Sequence, residues 1–301
     1  MVRSVFFALV PLLLAAQINI VRPPEPNTSS GASVLLNHFY LVLDSQTFED
    51  IKKNDFLRKE FAPFENRRTI RTDRSYSGIY FYGANTYFEF FDAAEAAPRG
   101  LKEGDSGLAF CVENPNAFDV LRNRTVPGIK FHQTTITRQY GDDMLPWFYE
   151  LEPVDFPFRT FVMLYNPSFL SRWNPSSTAT ANTGVTRKEF LERYKSILEE
   201  KPKEPLLQDV VGVTLALPPE LLQKLSRIYA AWGMRRHGKG DQVSLDAQQF
   251  LLRLIPETGT ARGIQEVDLR LNASTKELQP VHFGKRSALT FKSKNSAVWT
   301  F

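Results

Sequence analysis

The sequence predicts an α+β fold of tandem units, each a strand and a helix followed by three more strands. Three observations carry this. The same element order recurs along the 301 residues; the 24 Phe and 10 Tyr suit pleated surfaces; and the strand-like runs are punctuated by turn residues such as Ser75, Gly78, Gly83 and Asn85.

In the first unit, residues 34–43 read as a buried strand and 45–56 as a helix, with Asp44 or Ser45 as its N-cap. Short strands are expected over 68–73, 77–82 and 87–92. The second unit restarts at 108–113. Pro115 opens a short helix in the favoured first-turn position, and strands follow at 130–138, 147–152 and 159–165. The stretch 174–184 is rich in Ser, Thr, Asn and Ala without periodicity, as in a loop. Thr186 to Glu189 is a capping box that opens a charged helix.

A third unit begins with a strand at 210–217. Its helix follows Pro218-Pro219, with one apolar stripe through Leu221, Leu222, Leu225, Ile228 and Tyr229. Strands at 243–245 and 250–255 complete it. The alternating run 264–271 and a terminal hairpin (287–291 with 297–301) read as a fourth unit that lacks its helix. The expected divisions are 1–16 signal peptide, 17–33 disordered leader, 34–170 first pair of units, 171–207 loop, helix and linker, and 208–301 third and fourth units.

Arg3, the apolar run from Val5 to Ala16 and the small residues Ala15-Ala16 have the form of a secretory signal, shorter than the roughly 20 apolar residues of a membrane span. A secreted or periplasmic location without stable membrane insertion is expected. The one cysteine, Cys111, lies in an apolar run and reads as a small buried hydrophobe. Asn27, Asn123 and Asn272 fit the glycosylation pattern. The net charge of +4 is spread along the chain, with Arg67-Arg68 and Arg235-Arg236-His237 as its small clusters. These read as solvated faces, and nucleic acid is not expected as a partner.

The run Asn37-His-Phe-Tyr-Leu-Val-Leu-Asp44, the run Tyr87-Phe-Glu-Phe-Phe91 and the tandem units resemble the vicinal oxygen chelate superfamily. The chain looks most like its glyoxalase-like branch, to which Leu145-Pro-Trp-Phe-Tyr-Glu150 is also similar. The resemblance spans about 34–272. It implies cup-shaped mixed β-sheets made by paired units, within one chain or across a homodimer. It also implies a divalent metal, of unspecified identity, that a small-molecule ligand chelates. His38 maps onto the first-strand metal ligand and Glu89 onto the last-strand one.

The chain departs from the pattern in four places. His38 lies six residues before Asp44 instead of seven, so either Ser45 takes the cap or Asn37 faces the site. Leu108 stands where the second unit's first ligand belongs, its last strand (160–165) holds no acid, and Arg253 matches Glu89 in the third unit.

Catalytic metals usually take three or four protein ligands. His132 is a third candidate beside His38 and Glu89, and Glu150 another. Strand alternation places His38 and Tyr40 on one side, and Tyr87 and Glu89 on one side of theirs. Tyr40, Tyr80, Tyr82, Tyr87 and Arg253 are the candidate ligand-binding residues. Three readings of His38 and Glu89 stand side by side: two metal ligands, a structural hydrogen-bonded pair, or a pair in which desolvated Glu89 is a general base. His237 and His282 read as surface, and Asp142-Asp143 as a turn. The sequence holds no Gly-rich phosphate loop, serine elbow, His-Glu-x-x-His helix or Cys-pair zinc knuckle.

The function expected is an exported, glyoxalase-like protein that binds a small, partly polar ligand in a β-cup, with a divalent metal on His38 and Glu89. The alternatives are a metal-free binding or sequestering module without catalysis, and a purely structural secreted domain. The sequence does not decide whether the protein is an enzyme.

Overall fold

The computed structural model describes residues 33–71, 75–238, 242–259, 261–273, 278–293 and 295–301. The signal segment 1–16, the leader apart from Ser33, the Asn27 sequon and Ser274 of the Asn272 sequon lie outside them.

The first unit runs β1 (Leu35–Leu43), α1 (Ser45–Lys53), a π-helical turn (Leu57–Phe61), β2 (Phe64–Ile70), β3 (Ser75–Tyr82) and β4 (Tyr87–Asp92). Asp44 caps α1: its carboxylate accepts from the Thr47 amide at 3.0 Å and the Thr47 hydroxyl at 2.6 Å. After the short α2 (Ala93–Ala96), the second unit runs β5 (Ser106–Cys111), α3 (Pro115–Arg122), β6 (Phe131–Tyr140), β7 (Asp143–Pro153) and β8 (Arg159–Tyr165). The eight strands form one sheet in the order β2-β3-β4-β1-β5-β8-β7-β6. Each unit returns its last strand parallel to its first, which needs the intervening helix as a crossover. The units join through the antiparallel β1–β5 pair, so this sheet is completed within one chain.

Two short helices follow, α4 (Pro167–Trp173) and α5 (Arg187–Ile197); the Thr186 hydroxyl caps α5 as the capping box predicts. The third unit is β9 (Leu207–Leu217), α6 (Pro219–Ala231), β10 (Arg235–His237), β11 (Val243–Ala247) and β12 (Phe250–Pro256). The fourth has no helix: β13 (Gly263–Leu271), β14 (Val281–Phe283), β15 (Ser287–Ser293) and β16 (Ser296–Thr300). Its last strand is antiparallel to its first, because a meander without a crossover reverses direction at every turn. The order β10-β11-β12-β9-β13-β16-β15-β14 repeats that of the first sheet. The protein is therefore α+β, with tandem units forming two mixed, cup-shaped eight-stranded sheets.

The sheets pack back to back around one core. Phe81, Phe88 and Phe90 of the first meet Trp299 of the second, and Phe110 meets Tyr229 of α6. The two hollow faces differ. Along β12 burial alternates, with Phe250, Leu252 and Leu254 inside and Leu251, Arg253 and Ile255 half-open. Along β4, Tyr87 to Phe91 are buried on both faces. The first sheet curls until its edges touch, through a bridge between Arg71 and Arg138, and Phe169, Trp173, Phe190, Leu191 and Tyr194 of α4 and α5 fill its hollow. No helix among the described residues is long and apolar enough to cross a membrane.

Candidate functional site

His38 and Glu89 do face one interior. A β-bulge at Asn37 shifts the register of β1 against β5, so Asn37 and His38 both point into the hollow. Asp44 thereby keeps the cap although the spacing is one residue short. His38 Nε2 lies 3.8 Å from Glu89 Oε1. Its ring stacks on Tyr87 at 4.4 Å and meets Phe161 edge-on at 6.0 Å. Nδ1 sits 2.8 Å from Asn37 Oδ1, an acceptor, so the ring proton is on Nδ1 and the Nε2 lone pair faces Glu89.

Burial controls the charge of this pair. It pushes the Glu89 carboxyl up from 4.5 to about 7, against the pull of Arg67 and Arg71. Burial, with Arg71 and Arg159 adding to it, drives the His38 imidazole down from 6.5 to about 3. Despite the short separation the contact is not an ion pair, because the imidazole stays neutral.

The metal ligand set does not close. No group of three or more His, Cys, Asp or Glu side chains able to hold a metal occurs among the described residues. His132 is exposed on edge strand β6, opposite Glu152 and four strands from β1 in sheet order, so it does not join His38 and Glu89. Glu150 is buried, but one carboxylate oxygen is taken by Arg159. The hollow-facing positions of β5 and β8 hold Ala109, Cys111, Phe161, Met163 and Tyr165. Burial raises the Cys111 thiol to about 12, far from the thiolate a metal needs. Arg71 and Arg159 act on His38, and Arg67 and Arg71 on Glu89, which disfavours a further cation. The residues present do not fit a divalent metal.

Tyr80, Tyr82 and Tyr87 are packed within the same interior, 0%, 1% and 6% exposed. Burial raises all three phenols well above their usual range, so they remain protonated. Arg253 lies on the other sheet, bonded to Thr214 at 2.9 Å and paired with Asp268 at 2.6 Å and Glu266 at 3.3 Å. His237 and His282 are exposed, and Asp142 lies in a turn.

Arg67 departs from the sequence reading. Its guanidinium is sandwiched between the rings of Tyr80 (4.1 Å) and Tyr194 (4.8 Å), and it donates to Glu65 and Tyr82. Arg138 donates to the hydroxyl of the same tyrosine, Tyr194, and lies over Trp147. The partner of both is on α5, so no local pattern around Arg67 announces it.

Tyr40 alone of the candidate tyrosines reaches a large opening. It lines a cleft of about 1110 Å³ where the second unit meets the third, with His132, Glu152 and Arg159 on one side and Lys224, Glu257 and Arg262 on the other. The Tyr40 ring lies over Gly107, where a Cβ would come within 2.4 Å of it. Arg159 links cleft and interior: it pairs with Glu150 and Glu152, and its guanidinium lies 4.7 Å from the Phe161 ring that abuts His38. Ser106, 7% exposed, lines the cleft, and its hydroxyl has no hydrogen-bond partner among the described residues.

Comparison with solved structures finds similarity at low identity. A hypothetical protein from Staphylococcus aureus aligns at TM-score 0.49 and 10% identity, over 82% of this chain and 94% of that one. A fusion of a xylose isomerase-like TIM barrel with 4-hydroxyphenylpyruvate dioxygenase aligns at 0.42 and 10%, over 84% and 38%. A triple mutant of 4-hydroxymandelate synthase from Streptomyces coelicolor aligns at 0.39 and 14%, over 75% and 63%. No curated protein sequence matches. The model of a family of unknown function (DUF5829) matches residues 36–301.

Proposed function

The chain belongs to that family of unknown function, and we propose that it is a metal-free small-molecule binding protein of glyoxalase-like build whose ligand occupies the Tyr40 cleft. The observation that carries this is the division between the two places a ligand could sit. The interior around His38 and Glu89 is filled by aromatic rings, and no group of three His, Cys, Asp or Glu side chains able to hold a metal forms there among the described residues. The cleft is of ligand size and mixes apolar walls (Leu101, Phe156, Leu221) with charged groups. An exported location belongs to the same reading and rests on Arg3 and the apolar run after it; N-terminal sequencing of the protein recovered outside the cytoplasm tests it.

A small-molecule thermal-shift screen, run with and without a chelator, tests the binding reading. The control is Leu221→Trp, which places a large ring in the cleft from an already half-buried position. Compounds that stabilise the native chain, ignore the chelator and fail on Leu221→Trp support it. Hits that stabilise both chains equally, or need a metal, contradict it.

One observation favours a second reading. A carboxyl near pKa 7 is suited to general-base work, so Glu89 would act on a ligand that reached past Arg159 into the interior. Turnover abolished by Glu89→Gln with ligand affinity unchanged is its signature.

A further inference from the structure

We infer that the cleft selects an organic cation, an ammonium group on an apolar or aromatic body; this rests on the reading that the cleft is the ligand site. Its lining carries five carboxylates against three permanent cations, in a chain whose overall balance is +4. The cations are largely committed. Arg159 is held by Glu150 and Glu152, and Arg262 lies 3.1 Å from Asp105. Lys224 stands one turn from Glu220 on α6 without a salt bridge to it among the described residues, and the two opposite charges offset each other in the sum. Asp155 and Glu257 remain, and neither makes a salt bridge among the described residues.

A concave surface with apolar walls focuses the field of such uncompensated charges, so the cleft attracts cations although the protein as a whole repels them. The walls suit the same ligand. Tyr40, Phe156 and Phe158 offer aromatic surface, and a cation over an aromatic face is held by the ring quadrupole. Deeper in, the Ser106 hydroxyl is buried and unpartnered. Its oxygen is covered at the inner wall, so a ligand N–H meets it only where the wall gives way, and satisfying it then removes the cost of leaving a buried polar group unmade. An anionic ligand would find Lys224 as its one unpaired cation among the described lining residues, against five carboxylates.

The test is isothermal titration of the full chain with three probes of one shape: phenethylammonium, 2-phenylethanol and phenylacetate. The ammonium is expected to bind roughly tenfold tighter than the alcohol, and phenylacetate weakest, with the preference shrinking as salt is raised. In the double variant Asp155→Asn, Glu257→Gln, most of this preference should be lost, leaving the smaller part that the aromatic walls supply, with the alcohol unchanged. Both positions are exposed surface sites, so the variant is expected to fold. Equal affinity of the three probes, tighter binding of phenylacetate, a preference undiminished in the double variant, or no binding of the ammonium overturns the inference. The first three of these results leave the cleft itself as the ligand site. Probe binding that is unaffected by Leu221→Trp is the distinct result that removes the cleft.

Discussion

Glu89 and Arg253 occupy matching places in the two sheets. Each lies on the last strand of its unit, in register with the parallel first strand: Glu89 beside Tyr40, Arg253 beside Thr214. Their surroundings are opposite. Glu89 is 6% exposed in an interior roofed by α5, whereas Arg253 is half-open and ion-paired with Asp268 and Glu266. The same backbone plan thus yields one filled hollow and one shallow polar face, and the difference lies in what the chain lays over each.

The His38–Glu89 pair gives a definite dependence on pH. Glu89 holds its proton more tightly in the folded chain, so its contribution to stability is present below pH 4.5 and lost as the pH rises to about 7. The neutral imidazole of His38 makes the opposite contribution, present above pH 6.5 and lost as the pH falls toward about 3. Between pH 4.5 and 6.5 the two slopes cancel. Glu89→Gln removes one of them, so the variant should gain about 1 kcal/mol of stability per pH unit across this window relative to the native chain. Urea unfolding at a series of pH values measures this; parallel curves for the two chains would contradict it.

Gly107→Ala should destabilise the protein by about 1–3 kcal/mol, because the added methyl meets Tyr40 at 2.4 Å and the Arg159 carbonyl oxygen at 2.7 Å. Tyr40 must then swing toward the cleft. Denaturant titration reads the first effect, and weaker binding of any cleft ligand the second.

Asp209 of β9 ties the halves together. Its carboxylate accepts from the amides of Asn85 and Thr86, the Asn85 side chain and the Thr86 hydroxyl, between 2.7 and 3.0 Å. Asp209→Ala leaves these donors without their acceptor and should cost about 2–3 kcal/mol. Calorimetry is expected to show a lower Tm and a broader transition as the coupling between the sheets weakens.

Elemental analysis of protein purified without chelator should find no stoichiometric divalent metal, and His38→Ala should not change the content. One metal per chain that disappears in His38→Ala would overturn the metal-free reading.

Much of the fold was legible because its signals are local. β4 and β8 fall on the residues that alternation and turn chemistry mark, Tyr87–Asp92 and Arg159–Tyr165, and Thr186 caps α5 as its box implies. The edge strands β10 and β14, three residues each, carry no period to read. In the site, the pairing of His38 with Glu89 was suggested by the family resemblance, and strand alternation was compatible with it. The placing of His132 with them did not hold, since alternation fixes a face and not a position across the sheet. The Arg67–Tyr194 stack, the Arg71–Arg138 closure and the cleft between the second and third units all join segments distant in sequence, where neither spacing nor composition leaves a trace.

Hydrogen–deuterium exchange with the strongest thermal-shift hit tests the ligand site most directly. Slowed exchange at 101–106, 153–160 and 217–224, with β4 and the Asn37–His38 end of β1 unchanged, is the predicted result. Protection confined to β1 and β4 around His38 and Glu89, with those cleft segments unaffected, would contradict it.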